Sequence, residues 1–145
     1  MYQHILIATD GSELAGKAVA AGLELAKGLG MKVTAVTVTE PWSGMMLGEP
    51  AALAFPIEDY EKSAAENAAR VLSGVAEAAK KAGVACETVH AQDFPAEAII
   101  KTATAKGCDL IVMASHGRRG IARVLLGSQA LTVLTQSTIP VLICR

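Results

Sequence analysis

Two short runs in this chain are apolar without interruption, and they restrict its folds more than any other feature. Leu110-Ile111-Val112-Met113 follows Asp109, and Ile5-Leu6-Ile7 lies within the run His4 to Thr9. A strand with one wetted face alternates apolar and polar residues, whereas a short unbroken run bounded by turn residues suits a strand covered on both faces. Strands of that kind belong to parallel sheets whose crossover helices pack on both sides.

The rest of the chain supplies the alternation of strand and helix that such a sheet needs. Asp10-Gly11-Ser12 forms a turn with Ser12 as an N-cap, and a helix is expected over Glu13 to Leu29. Ala18, Ala21, Gly22 and Leu25 would share one of its faces, with Gly28 and Gly30 as its stop. Lys32 to Thr39 alternates, is rich in β-branched residues and reads as the second strand. Ile57 to Lys81 carries Ala65, Ala68, Leu72, Val75 and Ala79 at helical spacing and ends before Gly83. A third strand is expected over Ala85 to Ala91. The next helix starts at Pro95, where a missing N–H costs nothing, and runs to Lys106 before Gly107. Asp109 to Met113 is the fourth strand, Ser128 to Gln136 a helix with Ala130, Leu131 and Leu134 apolar, and Val141 to Cys144 the fifth strand. Residues 40–56 contain Pro41, Gly44, Gly48, Pro50 and Pro56 but also Trp42, Met45, Met46, Leu47 and Phe55. A long loop packed on the domain as a satellite cluster is expected there, in preference to a lid over a ligand.

At 145 residues the chain suits one domain, 1–145, and its 52% hydrophobic but only 3% aromatic composition implies a core of small aliphatic side chains. No apolar run approaches the ~20 residues of a membrane span, and Met1 to His4 leads into a strand and not a secretory leader, so a cytoplasmic protein is expected. A formal net charge of −1 argues against nucleic acid as the main partner. Arg118, Arg119 and Arg123 are a local exception, read as a solvated face before a phosphate contact. Cys86, Cys108 and Cys144 lack metal-ligand spacing and are expected as reduced structural thiols, and His4 and His90 as structural residues of strands.

The chemistry concentrates between the fourth strand and the helix after it. Glycines 117, 120 and 127 suggest positive φ and main-chain N–H groups open to an anion, and Gly127-Ser128 stands where a helix begins and its first N–H groups are unpaired. The Ser128 hydroxyl can add a further hydrogen bond. There is no Gly-Lys-[Ser/Thr] of a Walker loop and no Gly-x-Gly of the dinucleotide fingerprint. By spacing alone, an anion-binding loop and a plain turn stand level. In doubly wound sheets ligands bind at the carboxyl ends of strands where the strand order reverses, and Asp10 and Ala114 stand at the carboxyl ends of the first and fourth strands. Asp10 suits ribose hydroxyls, a divalent ion beside phosphate, or its own turn. His116 has no visible orienting group or nucleophile, and a turn histidine at the pocket rim is expected over a catalytic one.

Ala114-x-x-Gly117-x9-Gly127-Ser128 resembles the nucleotide motif of the universal stress protein family, Gly-x-x-Gly-x9-Gly-[Ser/Thr], with Ala114 where the family pattern has glycine. The opening Ile5 to Ser12 and the ending Ile139 to Ile143 carry the resemblance over almost the whole chain. It implies a doubly wound α/β fold with one parallel five-stranded sheet in the order 3-2-1-4-5, helices on both faces. It implies binding of ATP, ADP or AMP, with magnesium reaching Asp10 through the nucleotide. The matching site positions are Ala8, Thr9, Asp10, Val38, Met113, Ala114, His116, Gly117, Gly120, Gly127, Ser128 and Gln129, with the Val38 backbone facing adenine. A homodimer through Val141–Cys144, an unidentified regulatory protein partner and a stress-response role with little or no catalysis complete the expectation. Two alternatives stand beside it: a slow ATPase or self-phosphorylating enzyme, and a nucleotide-free interaction protein whose pocket Ala114 has closed.

Overall fold

The computed structural model describes residues 1–42, 56–117 and 125–145. In chain order the elements are β1 His4–Ala8, α1 Glu13–Leu29, β2 Lys32–Thr39, α2 Ile57–Ala82, β3 Cys86–Gln92, α3 Pro95–Lys106, β4 Leu110–Ala114, α4 Ser128–Gln136 and β5 Val141–Cys144. The strands form one sheet in the order β3-β2-β1-β4-β5, and every neighbouring pair is parallel. This is the expected α/β architecture and strand order.

The unbroken apolar runs occupy the two central strands, with Ile5, Leu6, Ile7, Ile111 and Val112 all at 0% exposure. Successive side chains of a strand point to opposite faces, so these runs feed two cores. Ile5, Ile7, Leu110 and Val112 pack beneath α1 and α2 with Ala18, Leu23, Leu72 and Val75. Leu6, Ile111 and Met113 pack beneath α3 and α4 with Ile99, Ala103 and Val133.

Helix ends follow local signals. Ser12 accepts the Ala15 N–H at the start of α1, and α1, α2 and α3 each stop at a glycine in the left-handed region, Gly30, Gly83 and Gly107, where a side chain would be strained. The faces were less legible. In α1 the buried set is Ala15, Ala18, Val19, Gly22, Leu23 and Ala26, with Ala21 and Leu25 half-buried and Gly28 inside the helix. In α2, Ala65 is exposed while Ala68, Leu72, Val75 and Ala79 are buried. In α4 the buried residues are Ala130 and Val133, whereas Leu131 and Leu134 are 52% and 39% exposed. Leu131 and Leu134 have helical spacing, but the face of α4 turned to the core is that of Ala130 and Val133, which pack with Ile99, Ala103 and Ile111.

The amino-terminal edge of the sheet is closed by polar contacts. The Asp109 carboxylate accepts the N–H groups of Gln3 at 2.9 Å and His4 at 3.1 Å, and the buried His4 ring places Nε2 2.8 Å from the Thr34 hydroxyl. At the carboxyl end of β2, His90 makes a similar pair with Thr39. Cys108 is buried and burial pushes its thiol up to about 11, which makes it inert as a nucleophile. Cys86, Cys108 and Cys144 are all free. Among the described residues, no helix is long and apolar enough to cross a membrane.

Candidate functional site

The opposite edge of the sheet is open. The carboxyl ends of β1, β2 and β4 floor a cleft of about 790 Å³, at the point where the chain leaves β1 toward β2 on one side and pairs with β4 on the other. The amino-terminal half of α2 forms one wall, and the starts of α3 and α4 form the other. Ala8, Thr9, Asp10, Val38, Met113, Ala114, His116, Gly117, Gly127, Ser128 and Gln129 all line this cleft. Gly120, Arg118, Arg119 and Arg123, and loop residues 43–55, lie outside the described residues.

Asp10 makes the turn contact that its position allows, Oδ1 accepting the Ser12 N–H at 2.9 Å. Its other oxygen, Oδ2, faces Gly117 so closely that a β-carbon there would stand 2.9 Å away. The glycine requirement at 117 is therefore one of space. Neither Gly117 nor Gly127 has positive φ, which among the described glycines is confined to Gly11, Gly30, Gly83 and Gly107. Gly127 has φ −70° and ψ 162° as the N-cap of α4, a conformation open to any residue. What it lacks room for is a side chain, because a β-carbon would meet the Ser115 carbonyl oxygen at 3.0 Å and His116 Cα at 3.4 Å. The expectation of a left-handed glycine is corrected at Gly117 and at Gly127.

Ser115 ties the floor together. Its N–H donates to the Cys144 carbonyl at 2.7 Å, and its own carbonyl accepts the Gly127 N–H at 2.7 Å. The start of α4 is thus fixed against the ends of β4 and β5. The Ser115 hydroxyl lies 3.0 Å from His116 Nδ1, a neighbour for the histidine that sequence spacing did not reveal. Ser115 is only 3% exposed and, like the similarly buried Met113 and Ala114, lines the floor of the cleft. His116 Nε2 is buried and, among the described residues, has no hydrogen-bond partner.

The first turn of α4 differs from those of the other helices. Glu13 stands in the first turn of α1, Glu58 and Asp59 in that of α2, and Glu97 in that of α3. That of α4 has no acidic residue, and its N-cap Gly127 offers no side-chain hydrogen bond. With no acidic side chain in that turn and no side-chain cap, the first N–H groups of α4 and the positive end of its dipole border the cleft. Gln129, in the same turn, has a second task that sequence reasoning missed. Its Oε1 accepts the Ala96 N–H at 3.1 Å and so caps α3, whose own N-cap Phe94 makes no side-chain bond.

The main chain of β2 also points into the cleft. The Lys32 N–H donates to Gln3, and Val36 accepts the Thr9 N–H at 3.0 Å, so even-numbered residues of β2 turn their peptide groups toward β1. β1 ends at Ala8, opposite Val36. The N–H and C=O of Val38 are consequently directed past the end of the strand, a donor and an acceptor side by side. Ala114 does not fill this space. Its side chain belongs to the core under α1, and the cleft stays open above it.

The α2 wall was not anticipated. Tyr60, Ala64, Asn67 and Ala68 line the cleft, and the Tyr60 hydroxyl donates to the Glu40 carbonyl at 2.6 Å, fastening the helix to the end of β2. Their spacing of four, three and one was the available signal, but it cannot be told from ordinary packing without knowing that α2 overhangs the sheet.

The sequence profile of the universal stress protein family matches residues 1–145. A universal stress protein of Thermus aquaticus is 36% identical over 148 aligned residues that span the whole of both chains. The solved structure of MJ0577, a universal stress protein of Methanocaldococcus jannaschii, superposes with a TM-score of 0.80 at 26% identity, covering 99% of this chain and 96% of that one. A universal stress protein solved in complex with cAMP superposes with a TM-score of 0.74 at 28% identity, covering 99% and 97%.

Proposed function

The chain belongs to the universal stress protein family, and from that premise we propose that it is a regulatory module that binds an adenine nucleotide in the cleft between α2 and α4. The observation that carries this reading is the uncapped, acid-free first turn of α4 opening on the cleft, a place where phosphate is stabilised by N–H donors and the helix dipole. The relative bound to cAMP supports the same ligand class. The Val38 peptide supports adenine in particular. Its N–H can donate to N1 and its C=O can accept from the 6-amino group. Guanine presents the reverse pattern there, an N1–H donor and an O6 acceptor, and would leave both peptide groups unpaired.

ATP is the favoured form because Ser128 and Gln129 continue the α4 donor set beyond one phosphate. Magnesium fits as a companion of the nucleotide. Asp10 is a single carboxylate, and among the described residues no cluster of three His, Cys, Asp or Glu side chains could hold an ion. One carboxylate plus phosphate oxygens is how this ion is commonly held. The protein acts in the cytoplasm as a homodimer through β5 and signals its bound state to a protein partner in the response to stress. Turnover is slow or absent, since phosphoryl transfer needs a metal, charge stabilisation and a positioned nucleophile together, and Asp10 is the one carboxylate this reading places beside the phosphates.

Isothermal titration with ATP, ADP, AMP, cAMP and GTP tests the reading. Adenine nucleotides are expected to bind, with GTP weaker by at least about tenfold, equivalent to ~1.4 kcal/mol. No heat from any adenine nucleotide at millimolar concentration would overturn it, and linear phosphate release that a cleft substitution abolishes would favour the slow ATPase.

A further inference from the structure

We propose that Asn67 of α2 reads the ribose of the bound nucleotide by donating a hydrogen bond from its amide to a sugar hydroxyl, so that the cleft favours ribonucleotides over deoxyribonucleotides. This rests on the nucleotide reading above and names a specificity-determining residue for that same site.

The orientation of the amide follows from its neighbour. Arg70, one turn further along α2, donates through Nη2 to Asn67 Oδ1. A guanidinium only donates, so the Asn67 atom that meets it must be the oxygen. Asn67 is half-buried and lines the cleft. With its acceptor held by Arg70, what it offers a ligand is the Nδ2 donor pair.

Its position along α2 selects the sugar. Tyr60 marks the base end of the wall, because its hydroxyl is bonded to Glu40 beyond the Val38 peptide. Asn67 lies seven residues further on, about 10 Å along the helix axis at 1.5 Å per residue. That is on the order of the span from a purine's outer edge to its ribose hydroxyls. Arg70 borders a second groove whose lining includes Thr9, the residue between Ala8 and Asp10 at the end of β1. Asn67 is therefore at the Thr9 and Asp10 end of the cleft, away from the base. A hydroxyl both donates and accepts. Asp10, a carboxylate, can take the proton of a sugar hydroxyl, and Asn67 can donate to its oxygen. Removing the hydroxyl would leave the amide donor facing carbon, which is the arrangement that discriminates most strongly between ligands with and without a polar group.

The test is calorimetric titration of wild type, Asn67→Ala and Asn67→Asp with ATP, 2′-deoxy-ATP and 3′-deoxy-ATP, with circular dichroism to confirm helix content. Alanine suits a helix interior, so folding is expected to persist. Wild type should bind ATP at least about fivefold tighter than one of the deoxy analogues, and that analogue identifies the hydroxyl. Asn67→Ala should bring ATP down to the affinity of that analogue while leaving the analogue's own affinity unchanged. Asn67→Asp, with acceptors in place of donors, should bind ATP no better than Asn67→Ala. Equal weakening of all three nucleotides in Asn67→Ala, or no change in any, would overturn the ribose role and leave nucleotide binding standing. Wild type that binds none of the three would overturn the nucleotide reading and this inference with it.

Discussion

A β-carbon on Gly117 would stand 2.9 Å from Oδ2 of Asp10, closer than a non-bonded carbon and oxygen settle. Two residues separated by more than a hundred positions thus share one small volume at the mouth of the cleft. The obstacle is the end of a side chain, not backbone, so the fold can yield by turning the carboxylate. Gly117→Val is therefore expected to fold with a nearly unchanged melting temperature. It should lose at least about tenfold in ATP affinity, ~1.4 kcal/mol, because the displaced carboxylate leaves its place beside the ligand. Asp10→Ala should lose a similar amount, and the double variant little more than either single one, since both act through one group. Calorimetry on the four proteins measures this. Fully additive losses would show that Gly117 and Asp10 serve the ligand independently.

Gly127 presents the opposite case. Its hypothetical β-carbon meets the Ser115 carbonyl at 3.0 Å, and that carbonyl is held by the Gly127 N–H at 2.7 Å. Backbone on both sides cannot turn away as a carboxylate can. Gly127→Ala is expected to cost stability, about 1–3 kcal/mol as in other overpacked sites, visible as a lower urea midpoint. Gly117→Ala should not. Equal midpoints for the two variants would mean that the start of α4 shifts freely against Ser115.

His4 gives the fold a dependence on pH at the end remote from the cleft. Burial, aided by Lys32, lowers its pKa below the usual 6.5, so the folded state favours the neutral ring that meets Thr34. The unfolded chain then binds the proton more readily than the folded one. The His4 contribution is complete above about pH 6.5 and is lost as pH falls from there through the lowered folded value. Urea unfolding at pH 7.5, 6.5 and 5.5 should show stability falling with acidity, and His4→Gln, which keeps a polar partner for Thr34 but does not titrate, should flatten that fall. A wild-type curve no steeper than that of His4→Gln would contradict the assignment.

These residues also show what a reader of the sequence alone can and cannot reach. The stops of α1, α2 and α3 are single glycines in the left-handed region, a local property, and α1, β2, α4 and β5 run where patterning and punctuation place them. The strand order came by resemblance and agrees with the sheet. The positions singled out in the sequence and described in the structure line one candidate cleft, but the contacts that shape it were not legible. Gly117 and Gly127 drew attention as flexible residues, yet each is constrained by a partner brought near only by the fold, Asp10 and Ser115. Gln129 caps a helix 33 positions away. Asn67 and Tyr60 sit in a helix whose composition suggests only solvent and packing, because the overhang of α2 beyond the sheet is a tertiary fact. Leu131 and Leu134 have the spacing of a buried face but not its direction, which is set by where α4 meets the sheet.

β5 forms one outer edge of the sheet. Among the described residues it pairs only with β4, in the register Ile111 with Val141 through Ala114 with Cys144. Leu142 stands on that edge at 41% exposure. An apolar edge strand invites pairing with an identical strand, and a two-fold axis would place Val141–Cys144 of two copies side by side. Leu142→Lys should then sediment as a monomer at micromolar concentration while wild type sediments as a dimer. A variant that remains dimeric would place the interface elsewhere. The same sample tests whether the cleft belongs to one copy. Ser115 links Cys144 to Gly127 within a single chain, so the monomeric variant should keep ATP affinity within about threefold, less than 1 kcal/mol. Loss of binding together with the dimer, in a protein still folded by circular dichroism, would mean that the second copy braces the start of α4 through β5.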